Sequence, residues 1–295
     1  MRKRRWGRMK KSFRTWFWAV TTLFAVLAFT FATLAWFTAN RAVQTNTATA
    51  RTGDETLELQ ISSSGGSSFK SVETAQITQV NQTNSEFLLP VSTADLNSFI
   101  YAPFTKDGKA SAFKKVDDEA NYYHGRVYLR AEGEGWPDGS RMNLYLDQSD
   151  GLLGDAADGY LLNASRLGLI FGGDTSNPII LRLSESENPE NAQVYNTEVN
   201  GKLLGKNQVL GYNENGVFAT TDPSVLVSDY TISFTNNQMT LPKSALLSME
   251  FGKIYAVDIY FYLEGCDPDC SESVQFNEAN LHLAFYGVLD QKEGN

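Results

Sequence analysis

The sequence predicts an all-β chain: a β-sandwich, jelly-roll-like with long loops, preceded by an N-terminal hydrophobic helix. Three observations predict it. Several stretches alternate apolar and polar residues with the period of two that a half-buried strand requires. Clusters of Gly, Asn, Asp and Pro separate these stretches and read as turns. No alternation of strand-like and helix-like segments appears, so a parallel sheet with crossover helices is not expected.

The elements follow in order. Leu57, Leu59 and Ile61 alternate with Glu58 and Gln60 and open the first strand. A Ser/Gly stretch from Ser62 to Ser68 reads as flexible. Val127, Leu129 and Ala131 alternate with Arg126, Tyr128 and Arg130, and Met142, Leu144 and Leu146 alternate with Asn143 and Tyr145. Further runs cover Arg166 to Phe171, Ile179 to Leu183 and Tyr230 to Phe234. The longest are Ile254 to Leu263 and Leu281 to Leu289. Helical stretches are short, with Pro242 to Met249 the best candidate. Many short strands with turn signals between them fit a sandwich. No internal repeat is found.

The first forty residues stand apart. Arg2, Lys3, Arg4, Arg5, Arg8, Lys10, Lys11 and Arg14 precede a run from Thr15 to Asn40 that carries no charge. About 20 apolar residues in a helix cross the hydrocarbon core of a bilayer. Positive charge stays in the cytoplasm, so the remainder of the chain is expected to face outward. Thr33 and Ala35 are small residues where signal peptidase prefers them, which places a cut between Ala35 and Trp36. Against cleavage, the run is longer than an ordinary signal core. Trp16, Trp18 and Trp36 also flank it, as interfacial anchors do. Residues 1–35 are therefore a signal peptide or a membrane anchor, with the N-terminus cytoplasmic if the segment is retained. Residues 36–56, rich in Thr, Ala and Asn, read as an extended stalk or donor segment, and residues 57–295 as the β-sandwich domain.

Without residues 1–35 the chain keeps 17 cations against 34 acids, a net charge of −17. Such a surface repels nucleic acid and anionic lipid, so no nucleic-acid partner is expected. The two cysteines, Cys266 and Cys270, flank the turn-forming Asp267-Pro268-Asp269. In an oxidising compartment that spacing suits a disulfide, which would pin the turn rather than the fold. Two thiols with no nearby histidine make a weak zinc signal.

The search for catalytic motifs yields none, so no catalytic or cofactor-binding residue is assigned and the chain does not read as an enzyme. His282 alternates with Leu281 and Leu283 in a strand, and His124 precedes Gly125 at a strand entrance; both read as structural. The segment from Gly201 to Asn207 is one residue short of a phosphate loop and ends in Asn. Gly133 and Gly135 begin a dinucleotide fingerprint, but Asp138 occupies the place of its third glycine. Asp147, Asp150, Asp155 and Asp158 gather on a stretch interrupted by Gly151, Gly154 and Gly159. Hard oxygen ligands on a tight loop make a candidate calcium site, although the spacing is not that of an EF-hand and an ordinary acidic turn competes.

The junction Ala35-Trp36-Phe37-Thr38-Ala39-Asn40, followed by Leu57-Glu58-Leu59, resembles bacterial exported proteins with a SipW-type signal peptide, the TasA/camelysin-like biofilm-matrix fibre family. The match spans roughly the first sixty residues. It departs at Ala39, where the family has Asp, and at Ala50-Arg51-Thr52-Gly53, where it has Ala-Gly. The resemblance implies cleavage before Trp36, a jelly roll and an extracellular fibre subunit, with signal peptidase and other copies of the chain as partners. Two other functions compete. A surface adhesin would bind cell wall or glycan through Trp136, Tyr122, Tyr123, Tyr160 and Tyr212. A secreted hydrolase would use paired carboxylates.

Overall fold

The computed structural model describes residues 44–290 apart from 48, 53–54, 66–68, 70–73, 81–87, 102–112, 118–120, 137–138, 148–152, 155–158, 185–197, 200–201, 205–206, 236–237 and 271–279. The chain divides into two compact units, Met1–Ala42 and Val43–Asn295. The expected N-terminal helix and the Ala35-Trp36 junction lie outside the described residues. Among the described residues no helix is long and apolar enough to cross a membrane.

The second unit is all-β. Its first large sheet runs in the order Gln238–Thr240, Thr231–Thr235, Arg141–Asp147, Asn280–Leu289, Gln44–Thr47 and Thr74–Gln76. The strand Leu247–Glu250 adds to Arg141–Asp147, and Leu153–Gly154 adds to Asn280–Leu289. The second sheet runs Val225–Leu226, Ile179–Arg182, Ser165–Phe171, Ile254–Leu263, Tyr123–Glu134, Glu55–Ser62 and Thr49–Thr52. Most pairs are antiparallel, as the lack of crossover helices predicts. Short parallel pairs join Gln44–Thr47 to Asn280–Leu289, Ile179–Arg182 to Val225–Leu226, and Thr231–Thr235 to Arg141–Asp147.

One core takes side chains from both sheets. Met142, Leu144, Leu146, Leu283 and Phe285 come from the first; Leu59, Ile61, Val127, Leu129, Leu167, Leu169, Val257 and Ile259 come from the second. Each leucine buried in this way contributes roughly 1.5–3 kcal/mol. The second sheet is buried on its other face as well. There Ile170, Ile180 and Tyr262 pack against Val91, Leu96, Phe99 and Tyr122. Burial on both faces explains why Ser165–Phe171 and Ile254–Leu263 read as nearly continuous apolar runs rather than strict alternations. Gly168 permits the covering layer to approach: a Cβ there would lie 2.6 Å from both Leu96 methyl carbons.

Two expectations are corrected. The helix expected over Pro242 to Met249 is absent; Leu247–Glu250 is a strand, with Leu247 opposite Leu144 and Met249 opposite Met142. Pairing with Arg141–Asp147 satisfies its backbone and places Met249 in the core. The free stalk does not hold for Gln44–Thr47 and Thr49–Thr52, which pair within the chain's own sheets. Polar, β-branched threonines serve as well in a paired strand as in a solvated tail. One short helix, Gly159–Ala164, leads into the Ser165–Phe171 strand.

Candidate functional site

A buried polar constellation lies where Ser165–Phe171 begins beside the end of Ile254–Leu263. Leu167, Leu169 and Phe171 face the main core, so Arg166 turns to the opposite, covered face with Ile170. The Arg166 side chain is 3% exposed. Its Nη2 lies 2.8 Å from Asp267 Oδ2 and 3.7 Å from Asp222 Oδ2. Its Nη1 donates to the carbonyls of Asn163, at 2.7 Å, and Ser165, at 3.2 Å. Burial alone would lower the guanidinium's affinity for its proton, but Asp267, Glu264 and Asp222 outweigh burial and raise it.

A tight turn presents the acids. Asp267 N–H bonds Glu264 O at 3.0 Å, and Cys270 N–H bonds Asp267 O at 2.9 Å. The Asp267 carboxylate accepts the Asp269 N–H at 2.9 Å, and Asp269 in turn accepts Asn163 Nδ2 at 2.7 Å. Glu264 is buried and accepts the Cys266 N–H at 3.1 Å. Burial pushes its carboxyl up to about 7, with Arg166 pulling the other way. Burial raises Asp267 too. The Tyr262 hydroxyl, pushed well above its ordinary range by burial and by Glu264, has no hydrogen-bond partner among the described residues.

A second cluster sits across the central strand pair of the same sheet. Asp258 faces Arg126, and Tyr260 faces His124, in cross-strand register. Asp258 Oδ1 accepts Arg126 Nε at 2.7 Å and lies 2.9 Å from His124 Nε2. The imidazole stacks on the Tyr260 ring at 4.3 Å. Burial would raise the Asp258 carboxyl, but its bonds to His124 and Arg126 prevail and hold it below the usual range. His124 is thus a buried partner within a strand.

The residues singled out in the sequence are dispersed. Asp147 ends the Arg141–Asp147 strand, while Asp150, Asp155 and Asp158 lie outside the described residues. Among the described residues no group of three or more His, Cys, Asp or Glu is placed to hold a metal ion. The expected disulfide is not formed: Cys266 and Cys270 are free thiols. The turn sends them into different surroundings, Cys266 against Ile100, Leu204 and Leu210, and Cys270 against Leu161 and Leu263. Burial pushes Cys270 up to about 12 and Cys266 well above its ordinary value. Of the aromatic residues, Tyr122 is buried and stacks on Phe99 at 3.8 Å, whereas Tyr212 is exposed with Lys115 Nζ 5.5 Å from its ring centre. Lys202–Leu203 pairs with Glu198–Val199, a hairpin rather than a phosphate loop.

Arg166, Asp222, Glu264 and Asp267 were not singled out as a group. The available signal was a lone cation opening an apolar run, Arg166-Leu167-Gly168-Leu169-Ile170-Phe171, beside an acid-rich turn far along the chain. Comparison with protein-family models, with curated proteins and with solved structures finds no match.

Proposed function

We propose that this chain is an exported structural protein of the cell surface or extracellular matrix, a fibre subunit that assembles through its N-terminal segment. The N-terminal hydrophobic helix carries it to the membrane, signal peptidase cuts before Trp36, and the exported unit is a sandwich of jelly-roll type. One observation supports this reading above the others. Gln44–Thr47, close behind the expected cut, sits between Asn280–Leu289 on one side and Thr74–Gln76 on the other.

A segment near a free N-terminus that fills a slot inside a sheet can fill the same slot in a neighbouring copy. Main-chain hydrogen bonds then supply the affinity. Each subunit donates one segment and accepts another, so the contact is head-to-tail and propagates as a filament unless the rotation closes a ring. The acidic stretch that holds Asp147, Asp150, Asp155 and Asp158 is a candidate calcium site of this exported unit.

Electron microscopy of two proteins tests the reading, one beginning at Trp36 and one at Glu55. Filaments from the first alone support donation of the segment. Two monomeric proteins at high concentration count against it.

A further inference from the structure

Among the described residues, six buried side-chain polar atoms have no hydrogen-bond partner, and five of them belong to one corner of the covered face: Asn163 Oδ1, Arg166 Nε, Arg182 Nε, Ser224 Oγ and Tyr262 Oη. The strand register puts three of these side chains in a row. Tyr262 stands opposite Arg166, and Arg166 stands opposite Arg182. Residues directly opposed in antiparallel strands present their side chains on the same face. Asn163 adjoins the row, its carbonyl accepting Arg166 Nη1 at 2.7 Å. Ser224 joins it through Asp222, whose Oδ1 accepts the Ser224 N–H at 2.8 Å and whose Oδ2 lies 3.7 Å from Arg166 Nη2. Folded proteins seldom leave buried polar atoms unmatched, so five together mark a place where a further group belongs.

Chemistry and charge narrow what that group is. The two guanidinium nitrogens only donate, the two hydroxyls can donate, and Asn163 Oδ1 alone is restricted to accepting. Two guanidinium groups side by side on one face also repel each other. Asp267, Glu264 and Asp222 all act on Arg166. None of the ion pairs among the described residues involves Arg182. The Arg182 fork therefore lacks an anion where Arg166 has several. Those same acids oppose a doubly charged ligand. One negative charge spread over two planar oxygens matches the fork instead. Arg182 and Ser224 are only half-buried, so the row is open at their end, while the fully buried Tyr262 closes the other.

We propose that this row is a binding site for the carboxylate of a small organic acid. Arg182 holds the two oxygens through its fork, and Arg166 Nε with the Ser224 and Tyr262 hydroxyls supplies further donors. The site exists only where the three strands are paired, so the acid binds the folded chain and stabilises it.

Acetate is the probe, replacing chloride up to about 100 mM at constant ionic strength and neutral pH, with the full chain. Tm should rise with acetate, and the Nε–H NMR signals of Arg166 and Arg182 should shift and saturate. Acetamide, the neutral isostere, should move neither. In Arg182→Gln the affinity should fall about tenfold or more, through loss of the charge-assisted bidentate contact. A silent titration leaves water as the occupant and overturns the site. An equal response to acetamide, or an unchanged affinity in Arg182→Gln, means an adventitious additive only and overturns it too. If Arg182→Gln does not fold, Ser224→Ala decides: a several-fold loss of acetate affinity upholds the site, and an unchanged affinity overturns it.

Discussion

Replacing Arg166 by Met tests the physics of the buried cluster, because Met keeps most of the packing volume and removes the charge. In the wild type the guanidinium lies 2.8 Å from Asp267, whose side chain is 14% exposed, and 3.7 Å from Asp222. Water therefore reaches the orphaned carboxylates poorly. Removing one partner of a buried ion pair costs about 3–5 kcal/mol, and the loss of the donors to Asn163 O and Ser165 O acts in the same direction. The pH dependence fixes the cause. Without the cation, Asp267 and Glu264, both already raised by burial, bind protons more tightly in the folded state than in the unfolded one. Their penalty is then full above the raised folded values and fades as pH falls toward the unfolded values. Urea unfolding at about pH 8 and about pH 5 should therefore show the larger loss at the higher pH, by at least about 1 kcal/mol, with Asp267→Asn recovering part of it. A loss below about 1 kcal/mol at pH 8, or equal losses at the two values, would refute the reasoning.

Three further outcomes follow from the same structure. Glu264 rises from 4.5 to about 7 on folding, so the folded state holds the extra proton between those values. Its contribution to stability falls by about 3 kcal/mol as pH climbs through that window, and the difference between wild type and Glu264→Gln in urea midpoints should trace it. If the acidic stretch from Asp147 to Asp158 gathers calcium, millimolar calcium should raise Tm in the wild type and less in Asp150→Asn, whereas an unchanged wild-type Tm counts against a calcium site. Cys266 and Cys270, with thiols pushed up by burial, should react with a thiol reagent only on unfolding; rapid native-state labelling at neutral pH contradicts their placement.

The strands were legible where apolar and polar residues alternate, as in Leu57 to Ile61, and where a long apolar run is buried on both faces. Ile254–Leu263 coincides with its sequence run, and Leu281 to Leu289 misses its strand, Asn280–Leu289, by one residue. Short segments were harder to read, since apolar residues near Leu247 and Met249 suit a helix turn or a strand equally until a partner is known. Gln44–Thr47 and Thr49–Thr52 carry no apolar alternation, so nothing local marked them as strands. The Arg166 cluster was illegible for another reason: Asp222 and Asp267 lie far from Arg166 in sequence and meet it only through the pairing of Ser165–Phe171 with Ile254–Leu263. Composition could report an acid-rich turn and a lone arginine, but not their contact.

If the segment after Trp36 joins one subunit to the next, as proposed, the register of Gln44–Thr47 offers a direct measurement of it. Asn46 stands opposite Ala284 in the parallel pair with Asn280–Leu289. With Cys266→Ala and Cys270→Ala removing the native thiols, Asn46→Cys and Ala284→Cys can be oxidised and resolved on a non-reducing gel. Assembled protein should give a ladder of covalent multimers, because the two thiols of each bond come from different chains. A single monomer band that shifts on reduction would mean that every chain fills its own slot, and the claim would be contradicted.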